Sequence, residues 1–355
     1  YRGVQSLHPF ASSYLDLDCF SSTKPQTTAP RGGMSQFFLA TQRPPFHVPI
    51  AYQGWRLDAN GGGAGSLGIV KKFDGPDGRS IAIKKYTAPY ESAERTQLIQ
   101  RELDLLRNIT HPNIVRLMDS YDVNEGKELY HITEYCGVPL RKVIEEGNYS
   151  IAHVKKWIRE LLMAVQHLHA NGVIHRNLHP DNMCIDANHK LTLLGFGKAR
   201  VITRNQNMTA ERGTQPYMPI EMLLDWSGAY DEKVDIWSIA TLLCELITGQ
   251  PLFSAEQVNN SLKLQIQYCG CLEENVLDKI VSEMDRKYIG EYSRKCERKD
   301  FIQFLRDTLK ARRGIRDADT LANEEPLRDF IENTLQMDPD NRMSAAQALA
   351  HPFLL

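Results

Sequence analysis

The segment Gly61-Gly62-Gly63-Ala64-Gly65-Ser66-Leu67-Gly68-Ile69-Val70 is built to let backbone approach an anion. Gly63, Gly65 and Gly68 carry no Cβ, so a strand-turn-strand here can close over phosphate oxygens, and Val70 can cover a flat ring. From these glycines alone, a merely flexible loop reads equally well. Fourteen residues after Val70 stands Lys84, in Ile81-Ala82-Ile83-Lys84, where an ammonium could neutralise phosphate. Its flexible stem needs a carboxylate to hold it, and Glu102, among Leu98, Leu103 and Leu106, is the acidic side chain placed to do so. An exposed Lys and a solvated Glu are the plainer alternative. Further on come His175-Arg176-Asn177-Leu178-His179-Pro180-Asp181-Asn182, then Leu194-Gly195-Phe196-Gly197, then Pro219-Ile220-Glu221.

The elements around these residues follow from periodicity. Leu67–Phe73 and Ser80–Tyr86 hold β-branched runs on either side of Asp74-Gly75-Pro76-Asp77-Gly78, which predicts a hairpin. Leu98, Glu102, Leu103, Leu106 and Ile109 recur at helical spacing, and His111-Pro112-Asn113 stops that helix. Ile114–Met118 and Leu129–Thr133 read as two further strands. Beyond Gly137 the pattern turns helical: Ile151 to Leu168 lines one face of a long helix that ends at Asn171-Gly172. Val234–Thr248 is apolar nearly all round and predicts a buried helix, and Ala345–Leu349 a short final one. The order predicts an α+β fold, a small antiparallel-sheet lobe at about 48–134 followed by a larger helical lobe at about 138–353. Residues 1–45, rich in Ser, Thr, Pro and Gln, read as a disordered leader.

Composition narrows the function classes. The chain has 355 residues with 42 basic and 44 acidic side chains, a formal charge of -2, so charge supplies no reason to expect nucleic acid. No apolar run approaches the ~20 residues of a membrane span. Seven scattered cysteines form no disulfide framework, and the C-x-C pair Cys269 and Cys271 reads as inert thiols rather than metal ligands.

Taken together, in order and at these intervals, the motifs resemble the protein kinase signature set, over roughly residues 48–353. The resemblance implies a bilobal fold and an ATP site. It places Gly63, Gly65, Gly68, Val70, Ala82, Lys84, Glu102 and Met183 around the nucleotide, Thr133 as gatekeeper, and Glu134 to Gly137, Cys136 included, as the hinge. Leu106, Leu117, His175 and Phe196 would form the hydrophobic spine between lobes, Asp235 would brace the catalytic loop, and Glu221 with Arg342 would tie down the activation segment. Glu221-Met222-Leu223-Leu224-Asp225-Trp226, Arg101-Glu102-Leu103-Asp104-Leu105-Leu106 and an insertion at about 270–323 look like MAP kinases of the stress-activated branch. That implies signalling partners (kinases, activators or substrates of such a pathway), no nucleic acid or membrane, and a place in the cytoplasm, with the nucleus as a second compartment.

The chain departs from that pattern where the reaction happens. Asn177 stands in the place of the catalytic Asp, and loss of a general base typically costs ~10²–10⁴ in rate. His179 stands in the place of the phosphate-binding Lys, and Gly195 in that of the principal Mg²⁺ ligand, which leaves Asn182 from the usual metal pair. Asp181 falls where the family carries a residue pointing away from the cleft, so it is no substitute. These losses predict a pseudokinase that binds ATP weakly and without Mg²⁺; an active or atypical serine/threonine kinase is the alternative. Thr209-Ala210-Glu211 resembles the Thr-x-Tyr phosphorylation motif with Glu in the Tyr place, and Arg101, Arg176 and Arg200 match the residues that would receive a phosphate on Thr209. A loop that is never modified is equally compatible with those residues.

Overall fold

In the computed structural model, the described residues are 48–49, 52, 54–65, 68–123, 128–202, 213–227, 230–254, 257–311 and 325–355. The expected leader, the loop tip Ser66-Leu67 and Thr209 lie outside them. Five antiparallel strands come first: β1 Arg56–Gly65, β2 Gly68–Asp74, β3 Ser80–Tyr86, β4 Leu117–Val123 and β5 Glu128–Glu134, in the spatial order β1-β2-β3-β5-β4. The β2–β3 hairpin turns through Asp74–Ser80, where Gly78 takes a φ of 79°, as the Asp-Gly-rich sequence predicts.

One expected strand is displaced. The run Ile114–Met118 does not pair as a unit: β4 starts at Leu117, while Ile114 bridges to Leu193 and the Val115 N–H donates to the Leu193 carbonyl at 3.0 Å. The β-branched pair is drawn to the larger core because both side chains are buried there.

Helix α1, Ala93–Asn108, lies between β3 and β4 in sequence and is capped by the Ser92 hydroxyl, which accepts from the Arg95 N–H. Its buried side chains are Ile99, Glu102, Leu103 and Leu106.

After the two-residue β6, Val138–Pro139, the chain turns helical, with α2 Leu140–Glu146 and α3 Ile151–Ala170. Four short strands follow: β7 Val173–Ile174, then β8 Met183–Ile185 paired with β9 Leu191–Leu193, and β10 Arg200–Val201, which returns to β7. Helices α4 Ile220–Leu223, α5 Lys233–Thr248, α6 Val258–Cys269, α7 Glu274–Leu277, α8 Glu283–Lys295 and α9 Phe301–Ala311 lead to two last helices, Glu325–Thr334 and Ala345–Leu349. Every residue of α5 from Val234 to Thr248 is buried, so this helix is the axis of the lobe. Glu245, the charge inside that apolar stretch, is satisfied by the Tyr217 hydroxyl at 2.6 Å and by the Arg141 guanidinium. The architecture is α+β, an antiparallel sheet lobe and a helical lobe. No helix among the described residues is long and apolar enough to cross a membrane.

Candidate functional site

A cleft of about 320 Å³ is bounded by the sheet on one side and by the segment from β6 to Gly195 on the other. Gly63, Gly68 and Val70 form part of one wall. These glycines are not equivalent. A Cβ on Gly63 would meet nothing within 4 Å, leaving room for a ligand, whereas one on Gly68 would stand 2.1 Å from the Lys85 carbonyl oxygen. Gly68 is therefore required by strand packing as well. Gly65 ends β1, paired with Gly68.

The second wall comes from the β3–β5 ladder, whose register sets Ala82 against Thr133 and Lys84 against His131, all four on the cleft. Lys84 Nζ lies 3.1 and 2.9 Å from the two oxygens of Glu102. Burial would push the Glu102 carboxyl up, but the Lys84 charge and the hydrogen bonds it receives hold it below the ordinary carboxylate range. Helix α1 is thus tied to the sheet through a side chain that is 3% exposed. Glu134, Cys136 and Gly137 form the connecting edge. Burial raises the Cys136 thiol to about 11 and that of Cys184 to about 12, so neither is a thiolate near neutrality.

Met183 does not reach the cleft. On the short strand β8, Met183 and Ile185 point into the core while Cys184, between them, lines the cavity. The period of two along a strand puts adjacent side chains on opposite faces, and the expectation was one residue out of phase.

The loop at His175-Arg176 is held by Asp235, the residue expected to brace it. Its carboxylate accepts from the His175 N–H at 2.9 Å and the Arg176 N–H at 2.8 Å, and pairs with His169 Nε2 at 2.9 Å. Burial would raise this carboxyl, and the hydrogen bond and charge of His169 turn the balance to lower it. The bonds matter because Arg176 sits at a φ of 64°, a conformation unfavourable to a side chain of that size. His175 packs edge-on to Phe196, centroids 4.9 Å apart, and its Nε2 meets the Leu194 carbonyl at 2.9 Å. Leu106 and Phe196 are buried in the main core and Leu117 packs against it, which assembles the expected spine. Arg342 meets the two oxygens of Glu221 at 2.7 and 3.3 Å, with both side chains 0% exposed.

The side chains of Asn177, His179 and Asn182 bond to one another. Asn177 Nδ2 and Asn182 Nδ2 both face His179 Nε2, at 3.1 and 2.9 Å, and Asn182 Nδ2 also donates to the Asn177 carbonyl at 2.9 Å. Two amide donors on one ring nitrogen make it the acceptor, so the other nitrogen, Nδ1, donates to Asp181 Oδ2 at 3.3 Å. The Asn177 amide oxygen accepts from the Thr214 hydroxyl at 3.1 Å. Asp181 lines the cleft, contrary to the expected outward orientation. The His179 hydrogen bond, with Arg141 at 3.2 Å, lowers its carboxyl to about 2. Arg141 reaches both Asp181 and Glu245, and this draws the side chain toward the loop.

Gly195 has a φ of 76°, and a Cβ there would stand 2.2 Å from Asn182 Oδ1. The amide of Asn182 fills the space that a larger residue at 195 would claim. This donor set does not suit Mg²⁺, which takes hard oxygens and usually one or two carboxylates. Among the described residues no group of three or more His, Cys, Asp or Glu side chains is placed to hold a metal ion, Cys269 and Cys271 included.

Of the residues expected to receive a phosphate, Arg176 is buried, with Nε on the Lys198 carbonyl at 2.7 Å and Nη1 on the Tyr230 hydroxyl at 2.9 Å. Arg200 opens β10 opposite Ile174, and Arg101 donates to Gln97 on α1 at 3.4 Å.

Besides Cys184, the pair Tyr86 and His131 escaped the sequence reading. Tyr86 Oη lies 3.1 Å from Glu102 Oε2 and 2.8 Å from His131 Nδ1. The available signal was phase: His131 stands two residues before Thr133, on the same face of β5.

Comparison with known proteins bears on this cleft. A family signature described as "Protein kinase domain" matches residues 61–354. The chain is 32% identical to Mitogen-activated protein kinase HOG1A of Wallemia ichthyophaga over 295 residues, 82% of this chain and 75% of that protein. It is 31% identical to Mitogen-activated protein kinase 14 of Xenopus laevis over 313 residues, covering 87% and 80%. With Mitogen-activated protein kinase p38b of Drosophila melanogaster the identity is 30% over 329 residues, covering 90% and 84%.

Proposed function

The chain belongs to the protein kinase family, among relatives of the mitogen-activated type, and from that premise we propose that it is a pseudokinase, working by binding other proteins of a signalling pathway. Family membership implies a nucleotide cleft for ATP, ordinarily with Mg²⁺. Our reading of this cleft is narrower: ATP binds weakly and without the metal. Phosphoryl transfer is mostly positioning and charge neutralisation, with metal ions bridging the phosphates and a carboxylate accepting the hydroxyl proton. The observation that carries the proposal is the Asn182 amide lodged against Gly195, beside Asn177, which in the place of the base is a neutral amide already bonded to Thr214. What remains for this chain's own residues is to orient. Lys84, set by Glu102, offers one charge, and the hinge offers backbone groups. The MAP kinase relatives suggest kinases, activators or substrates as partners, in the cytoplasm and nucleus.

A second reading, a slow serine/threonine kinase, is favoured by the formed Lys84–Glu102 pair and the assembled spine. Purified protein with labelled ATP and a generic protein substrate, with Mg²⁺ or Mn²⁺, separates the two. The pseudokinase reading expects no incorporation above that of a Lys84→Met control. Incorporation that disappears in the control establishes the kinase.

A further inference from the structure

Helix α8 has two opposite sides. Ile289, Gly290 and Ser293 are buried, and a Cβ on Gly290 would stand 3.4 Å from Leu277 Cδ1. On the outer side Met284 is 79% and Tyr288 45% exposed, one turn apart, and Val281, beside the N-cap Ser282, is 50% exposed. The spacing i, i+3, i+7 sets three large apolar side chains in one outward row. Single exposed apolar residues are ordinary, but a row of them marks a contact surface. This row is formed in advance. The Ser282 hydroxyl accepts from the Asp285 N–H at 3.2 Å and fixes the start of the helix. Lys263 of α6 lies over the rings of Tyr288 and Tyr292, 5.7 and 5.6 Å from their centroids, and holds the Tyr288 ring in place.

Charge indicates what covers the row. Glu283 and Lys287, one turn apart, flank it on the same side. Both are exposed, and neither makes an ion pair among the described residues. Two copies of the helix laid parallel would set Glu283 against the partner's Glu283 and Lys287 against the partner's Lys287. Laid antiparallel about a two-fold axis near Met284, they set Glu283 against the partner's Lys287, Val281 against the partner's Tyr288, and Met284 against the partner's Met284. A two-fold contact needs one patch complementary to itself, and this patch is so in the antiparallel sense alone.

We infer that the outer face of α8 is a self-association surface, through which two copies of this chain pair antiparallel about a two-fold axis. The apolar row forms the centre of the contact and two Glu283–Lys287 ion pairs form its rim. The inference rests on no reading of the cleft, so its test leaves the pseudokinase proposal untouched.

Sedimentation equilibrium of the full chain tests it. The parent should show a monomer–dimer equilibrium. Met284→Arg sets two like charges together at the axis and should weaken the dimer about tenfold or more. Glu283→Lys and Lys287→Glu should each weaken it about fivefold, because each sets like charges face to face at two symmetric places. The double exchange, Glu283→Lys with Lys287→Glu, should return to within about twofold of the parent. That recovery separates a charge contact from a damaged helix, which a second change would not repair. A parent that stays monomeric to about 100 µM overturns the inference, since that lies above the micromolar range of ordinary interfaces. A dimer that Met284→Arg leaves unchanged overturns it as well, and so does one whose single charge changes the double exchange fails to undo. Binding of a different protein to a monomeric parent, lost in Met284→Arg, gives the face to another partner and equally overturns the inference.

Discussion

Asn182 Oδ1 lies 2.2 Å from the point where a Cβ on Gly195 would stand. Two residues thirteen positions apart in sequence thus share one volume. The amide is fixed there by the Asn177 carbonyl and His179, so the loss of a side chain at 195 and the pose of Asn182 are a single structural fact.

Gly195→Ala should accordingly destabilise the fold by about 2–3 kcal/mol in urea unfolding, from left-handed strain on a residue with a Cβ and from displaced hydrogen bonds. Adding Asn182→Ala should recover part of that loss, because the two changes compete for one space. Simple additivity of the pair would contradict the shared-volume account.

Restoring carboxylates should restore metal dependence. Asp at 195 meets the same Asn182 amide as Ala would but tolerates a positive φ better than most residues, so Asn177→Asp with Gly195→Asp should fold at reduced stability. In a thermal-shift titration this variant should show Mg²⁺-dependent stabilisation by ATP that the parent lacks. A flat response to Mg²⁺ would show that His179 alone suffices to keep the centre closed.

Lys84→Met removes the counter-charge of a buried carboxylate and should cost about 3 kcal/mol at pH 7. The pH dependence has a definite sign. In the parent, Glu102 is held below its ordinary value of 4.5, so its contribution is present above that value and is lost as pH falls through the lowered one. In the variant, burial, the largest influence on Glu102, is opposed only by His131 and the Tyr86 hydrogen bond, so the carboxyl rises from its value in the parent and the penalty is relieved as pH falls. The stability gap between the two proteins should therefore narrow from pH 7 to pH 4, as chemical denaturation can measure.

Asp235→Asn turns an acceptor toward two backbone donors into an amide that can satisfy only one of them. With Arg176 at a φ of 64° relying on that bond, the expected cost is about 3 kcal/mol by urea unfolding. Hydrogen exchange at His175 and Arg176 should rise with it.

Most elements were legible because their signals are local. The buried face of α3 repeats at helical spacing, α5 is apolar all round, and the β2–β3 turn is spelled by Asp-Gly pairs. The failures came where context overrode local preference. Ile114 has the composition of a strand residue, yet it joins the larger core beside Leu193. Met183 and Cys184 are both plausible cavity residues, and the side each one faces depends on the pairing of β8 with β9.

The sequence by itself determined that no carboxylate stands at Asn177, His179 or Gly195, because residue type alone settles that an amide, an imidazole or a glycine supplies none. Only the tertiary structure decided what stands in the site instead. The Asn182 amide against Gly195 and the chain Lys84–Glu102–Tyr86–His131 join side chains up to 47 residues apart, on β3, α1 and β5. Hydrogen bonds are short and directional, so such a chain exists only once three elements have packed to within about 3 Å of the required positions, and no spacing along the chain encodes that.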